Sequence, residues 1–262
     1  MSTLLKYDKL RNIRDLGGMR SSDGRRIKIG KLIRCGHLVE LSEKDEEKLS
    51  DLVDVIVDFR TDKERKERAN ITVPGISYVH IPIVDSLTPG ISREEESDKE
   101  IIGKMLLKPE AAKEYMCNMY RSFTKKTALS QYESFIRILL EDHEKAVIWH
   151  CTAGKDRAGI ASALVEKLLG IVEEDIIADY LETNTYLEQD IVFLTNYIKK
   201  EAKTDSPLAD ESLRYLFGAH REFIEAYYEE VAEEYGDFDT FAHKGLGLSD
   251  DDINCLRDKY LE

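Results

Sequence analysis

The chain of 262 residues carries 52 Asp and Glu against 38 Lys and Arg, a formal net charge of −14, and 42% of its residues are apolar. That is ample material for a packed core and excludes a disordered chain, while the charge disfavours nucleic-acid backbones and anionic membranes, so a phosphate-bearing ligand needs a local positive site. No apolar run approaches the roughly 18 residues of a membrane span, the start shows no signal-peptide core, and Cys35, Cys117, Cys151 and Cys255 lie far apart, so a cytoplasmic protein with reduced thiols is expected.

Strand-like and helix-like segments alternate through the first half, as in an α/β domain on a largely parallel sheet. Residues 53–58 read as a strand and 61–67 as a short polar helix. Residues 77–83 form a second strand, ended or pushed to an edge by Pro82. The very polar run 92–100, followed by Met105, Leu106, Leu107, Met116 and Met119, sets 88–127 apart; it is either an ordinary helix pair or a helical lid over a neighbouring site. Tyr132, Phe135, Ile136, Leu139 and Leu140 predict a helix near 129–142, and a third strand follows at 146–150. A further apolar stripe, Ile160, Leu164, Val165, Leu168 and Leu169, is closed by Gly170. The rest reads as helix: about 173–203, about 211–235, and a last one opened by Ser249 with Asp252 three residues on. No repeat or linker divides residues 1–262, so a single domain with a helical C-terminal third is expected.

The informative segment is His150-Cys151-Thr152-Ala153-Gly154-Lys155-Asp156-Arg157-Ala158-Gly159. It links a buried-type strand to an amphipathic helix, the place where open α/β sheets bind ligands and where helix N–H groups and dipole favour an anion. A cysteine there is expected to serve as a thiolate nucleophile. Arg157 can return to the same anion as a planar, bidentate cation. The full pattern of His, Cys, two glycines and Arg has a chance of roughly 10⁻⁵ at the chain's own residue frequencies, so coincidence is a poor explanation.

These residues resemble the His-Cys-x5-Arg signature of the cysteine-dependent protein tyrosine phosphatase superfamily. Asn12-Ile13-Arg14-Asp15-Leu16-Gly17-Gly18, Leu32-Ile33-Arg34-Cys35, Val57-Asp58-Phe59-Arg60 with Glu64, and the tail Tyr235-Gly236 with Leu246-Gly247-Leu248-Ser249 extend the match to the bacterial and fungal branch with a Lys-Asp pair in its loop. The resemblance implies a tyrosine phosphatase-like fold with a mostly parallel central sheet flanked by helices. It also implies a metal-independent phosphomonoester hydrolase without a cofactor, acting on phosphotyrosine proteins or peptides, with phosphoserine/threonine and phosphoinositides as further substrates. Cys151 would attack phosphorus, and the loop Thr152, Ala153, Gly154 and Lys155 with Arg157 would bind the phosphate. His150 would position the loop.

Two aspartates compete for the general acid. Asp156 sits in the loop, and Asp85 follows a strand ending in Pro82, as on the mobile loop of other superfamily members; Asp156 is slightly favoured. Ala158 stands where the family usually has Ser or Thr, which predicts slower hydrolysis of the phosphoenzyme. Asn12, Arg14, Asp15, Asp58 and Arg60 are either site residues or turn and ion-pair residues. Alternative activities are a phosphate-binding module with little turnover, or a cysteine-loop sulfurtransferase or arsenate reductase. The six scattered histidines give no metal-ligand cluster.

Overall fold

Strand β6 (Ala146–His150) is buried along its whole length because it lies in the middle of the sheet. The computed structural model describes residues 2–83 and 102–262. Six strands, β1 (Thr3–Leu4), β2 (Arg14–Asp15), β3 (Leu32–Cys35), β4 (Val53–Asp58), β5 (Ser77–His80) and β6, run in the order β1-β2-β3-β6-β4-β5. The last four in that order are mutually parallel, and β1 and β2 add an antiparallel edge. Alternate residues face opposite sides: Val147 and Trp149 join Val55 and Val57 in one core cluster, while Ala146 and Ile148 join Ile33 and Ile56 in the other. Burial on both faces is why these strands read as continuous apolar runs.

The register sets the site. Cys35 and Asp58 both lie opposite His150, and Asp58 lies opposite His80, so four parallel strands end together at one edge of the sheet. β4 and β6 have the expected bounds. The expected strand 77–83 stops at His80, although the Ile81 and Ile83 N–H groups still donate to the Asp58 and Phe59 carbonyls; Pro82 between them has no N–H to give. β1, β2 and β3 were not anticipated, being too short for a periodic signal.

The C-terminal third is helical, but more finely divided than the sequence suggested. The segment 173–203 is two helices, Glu173–Tyr186 and Glu188–Glu201, meeting at Leu187. The segment 211–235 is Pro207–Phe217 and Arg221–Tyr235, split where the Asn184 amide accepts from the Ala219 N–H and donates to its carbonyl, taking the groups a continuous helix would use. Phe238–Lys244 adds a short helix, and Asp250–Tyr260 has the expected Ser249–Asp252 capping box. Helix Pro109–Ser122, in the segment read as either an ordinary helix pair or a lid, packs on Pro207–Phe217 and Arg221–Tyr235 and buries Met116, Met119 and Tyr120. Residues 84–101 of that region, with Asp85, lie outside the described residues. Among the described residues no helix is long and apolar enough to cross a membrane.

Candidate active site

Loop 151–156 leaves β6 and enters helix Arg157–Leu168, and its carbonyls are pulled away from the space it encloses. The Asn12 amide donates to the Ala153 and Gly154 carbonyls at 3.1 Å each, and Arg34 donates to the Gly154 carbonyl at 2.8 Å. Thr152 gives its carbonyl to the His37 N–H. Among the described residues no acceptor takes the backbone N–H groups of 152–156, so the loop presents a row of free donors, an anion nest on a helix N-terminus. Gly154 is required in this turn: its φ is +69°, and a Cβ would come 2.4 Å from the Cys35 carbonyl oxygen.

Beneath the loop, buried side chains fix its supports. Asn12 accepts from Arg14, and Arg14 and Arg34 share Asp179 at 3.4 and 3.2 Å. His150 Nδ1 lies 3.0 Å from the Cys151 carbonyl and Nε2 lies 3.0 Å from the Asn70 amide nitrogen. A neutral ring protonated at Nδ1 satisfies both contacts, and burial pushes the imidazole pKa down in spite of Asp58 at 3.7 Å. Asn70 also donates to Asp58 and accepts from Arg60, which pairs with Asp58 at 2.8 Å. Asp58 and Arg60 thus brace His150. Asp15 is further removed, accepting from the Gly17 and Gly30 N–H groups in a turn.

Arg157 is held by Glu64. Its two terminal nitrogens donate to the two Glu64 oxygens at 2.7 Å each, and Glu64 also accepts from the Thr152 hydroxyl and the Thr61 N–H. Burial opposes ionisation of Glu64, but the Arg157 hydrogen bonds and charge hold its carboxyl down to about 2. Cys151, Thr152, Ala153, Asp156 and Arg157 line one cavity of about 850 Å³. Met116 and Met119 from helix Pro109–Ser122 and Ile191 and Leu194 from helix Glu188–Glu201 line the same cavity, with Asp190 and Glu201 of the latter helix among them.

Two expected side chains are placed in particular ways. Lys155 lines the cavity, yet its ammonium is buried and donates to the Leu216 and Gly218 carbonyls at 3.0 and 3.1 Å, so it ties the loop to the end of helix Pro207–Phe217. Asp156 is a quarter exposed in its side chain, and its Oδ1 accepts from the Tyr120 hydroxyl at 2.8 Å. Tyr120 in turn lies 2.6 Å from the Tyr180 hydroxyl. Ala158 is fully buried directly after Arg157. Asn70, Tyr120 and Asp179 were missed by sequence reasoning, since nothing local marks an Asn, a Tyr or an Asp that acts across 80, 36 or 145 positions. Glu64 carried a signal, the Thr61–Glu64 capping box, but that signal speaks only of helix Asp62–Glu67.

Three relatives of the chain carry phosphatase names. A protein of Cupriavidus necator provisionally named a tyrosine-protein phosphatase is 27% identical over 98% of this chain and 88% of its own. The triple specificity protein phosphatase PtpB of Mycobacterium tuberculosis is 25% identical over 88% of this chain and 91% of its own. A tyrosine-protein phosphatase of Nostoc commune is 28% identical over 48% of this chain and 43% of its own. The model of the tyrosine phosphatase family matches residues 5–262, so the chain belongs to that family.

Proposed function

We propose that the protein hydrolyses phosphomonoesters through a phosphocysteine, with phosphotyrosine in proteins or peptides as its first substrate. The observation that carries this reading is the row of free N–H donors around Cys151, with Arg157 clamped by Glu64 at the same cavity floor. Three equatorial phosphoryl oxygens fit such a cradle, where fixed donors stabilise charge without reorganising.

In the first step the Cys151 thiolate attacks phosphorus, the P–O bond to the leaving group breaks, and the leaving oxygen takes a proton from Asp156. In the second, Asp156 accepts a proton from water as the water oxygen attacks phosphorus, and the P–S bond breaks to return thiolate and inorganic phosphate. Asp156 is assigned the acid role because it lines the cavity and Tyr120 fixes one of its oxygens, leaving the other to meet the ester oxygen. His150, neutral and bonded on both ring nitrogens, positions the loop. Lys155 offers the phosphate its backbone N–H while its ammonium anchors the loop.

The apolar side chains that line the cavity suit an aromatic ring, and the net charge of −14 favours a peptide-borne phosphate over a charged lipid surface. The words triple specificity in the name of PtpB support a range wider than phosphotyrosine, and phosphoserine, phosphothreonine and phosphoinositides are the further substrates we propose. Phosphate release from phosphotyrosine, phosphoserine/threonine and phosphoinositide substrates tests the reading, with Cys151→Ser as control. Turnover greatest on phosphotyrosine and absent in the variant is expected; turnover that survives Cys151→Ser overturns it.

A further inference from the structure

Hydrolysis of a phosphocysteine needs a water molecule held in line with the P–S bond. Asp156 can take the water's proton, but a water tethered at one point still pivots, and a second contact is needed to aim its lone pair at phosphorus. The polar side chains nearest the loop are already engaged. His150 is bonded on both ring nitrogens, the Thr152 hydroxyl donates to Glu64, and the Lys155 ammonium donates to two carbonyls. Arg157 is clamped by Glu64 and gives what remains of its charge to the phosphate.

His37 is differently placed. It stands two residues beyond the end of β3, whose Cys35 lies opposite His150, and its N–H donates to the Thr152 carbonyl at 3.1 Å. Its backbone therefore runs beside the residue that follows the nucleophile, and its side chain lines the cavity with Cys151, Thr152 and Asp156. Among the described residues neither ring nitrogen has a hydrogen-bond partner: Nδ1 is buried and unpaired, which leaves Nε2 as the nitrogen open to the cavity. Burial first, and the Arg68 and Arg60 charges after it, push the imidazole pKa down to about 4, so the ring is neutral at pH 7. With no acceptor in reach of Nδ1, the single proton belongs on Nε2, where it makes a donor for whatever enters the cavity.

We infer that His37 holds the water that hydrolyses the phosphocysteine, donating its Nε2–H to the water oxygen while Asp156 receives the water's proton. The inference rests on the phosphocysteine reading above. The water oxygen then accepts one hydrogen bond from His37 and keeps a lone pair for phosphorus. As the O–P bond forms, the P–S bond breaks and its electron pair returns to Cys151 as thiolate; the proton passes to Asp156, and His37 keeps its own. A neutral ring suits this task, because an imidazolium would pair with the phosphate instead of holding water. Since Ala158 gives the departing sulfur no hydroxyl, this second step is expected to limit kcat for a good leaving group, and the contribution of His37 then falls on kcat.

Rapid-mixing and steady-state kinetics with an aryl phosphate of good leaving group separate the two steps. His37→Met, apolar and of similar length, is expected to keep the rate of the phenol burst, which reports the first step. It should lower the steady-state rate about tenfold, so that phosphocysteine accumulates in acid-quenched protein. His37→Gln, whose amide N–H can take the place of the Nε2–H, is expected to recover most of that loss. Rates are taken per burst site, so protein that fails to fold drops out of both. A steady-state rate in His37→Met equal to that of the wild type overturns the inference. So does a burst rate that falls together with it, or a His37→Gln variant no faster than His37→Met. If neither wild type nor variants form any phosphate adduct at Cys151, the phosphocysteine reading itself is overturned instead.

Discussion

Glu64 and Arg157, 93 positions apart, form a buried two-point ion pair at 2.7 Å on each arm, and Glu64 spends its remaining capacity on Thr152 and Thr61. The guanidinium plane is thereby fixed before any phosphate arrives. Because the helix Asp62–Glu67 that carries Glu64 follows β4, and Arg157 begins the helix after β6, the clamp is set by two adjacent parallel strands.

Removing that charge tests the clamp. Glu64→Gln keeps the shape but leaves Arg157 without its anion; losing one partner of a buried pair costs about 3–5 kcal/mol. We expect a Tm lower by roughly 6–20 °C and kcat/KM reduced about 10- to 100-fold, read by thermal melts and steady-state kinetics. The same pair predicts a pH window. The Glu64 carboxyl is held at about 2 in the folded protein against an ordinary 4.5, so its contribution is fully present above pH 4.5 and is lost as the pH falls from there towards about 2. Acid unfolding curves should show a shallower slope in that interval for Glu64→Gln than for the wild type.

Lys155 separates anchoring from ligand binding. Its ammonium occupies two backbone carbonyls at the end of helix Pro207–Phe217. Lys155→Met leaves them unpaired, at about 1–3 kcal/mol. The expected result is a Tm lower by several degrees with a smaller change in KM for a small aryl phosphate. A tenfold rise in KM with an unchanged Tm would place the ammonium on the phosphate instead.

The acid assignment predicts a pattern of pH profiles. Asp156→Asn should remove the basic limb of the kcat/KM profile and cost about 10²- to 10⁴-fold with alkyl or tyrosyl phosphates, with far less loss for a good leaving group. Tyr120→Phe, which deletes the 2.8 Å bond that fixes Asp156, should lower kcat/KM in the same direction as Asp156→Asn but by less, again with little loss for a good leaving group.

Ala158 lies at the first turn of helix Arg157–Leu168 with no hydroxyl to offer the sulfur. Ala158→Thr should speed breakdown of the phosphoenzyme, seen as a smaller burst and a faster steady state for a good leaving group. An unchanged burst and rate would show that the missing hydroxyl does not limit turnover.

The parts of this site that were legible in the sequence are those whose chemistry is local. Cys151, Gly154 and Arg157 sit within seven residues, and β4 and β6 are apolar runs buried on both faces, so spacing and pattern expose them. The Glu64 clamp, the Asn70 bond to His150 and the Tyr120 bond to Asp156 come from strand register and helix packing, which no window of sequence contains. Lys155 shows the opposite case, a local pattern suggesting a phosphate contact while the packing of Pro207–Phe217 turns the ammonium into the core. The helix breaks at Leu187 and Ala219 were hidden for the same reason, since the Asn184 side chain that supplies the second break is 35 positions away.

The central claim is covalent catalysis at Cys151, and acid-quench mass spectrometry tests it most directly. Protein mixed with an aryl phosphate, quenched within the first turnover and digested, should carry one added phosphate on the peptide containing Cys151, in an amount matching the burst of phenol. Phosphate release without that adduct, or an adduct that persists in Cys151→Ala, would contradict the account.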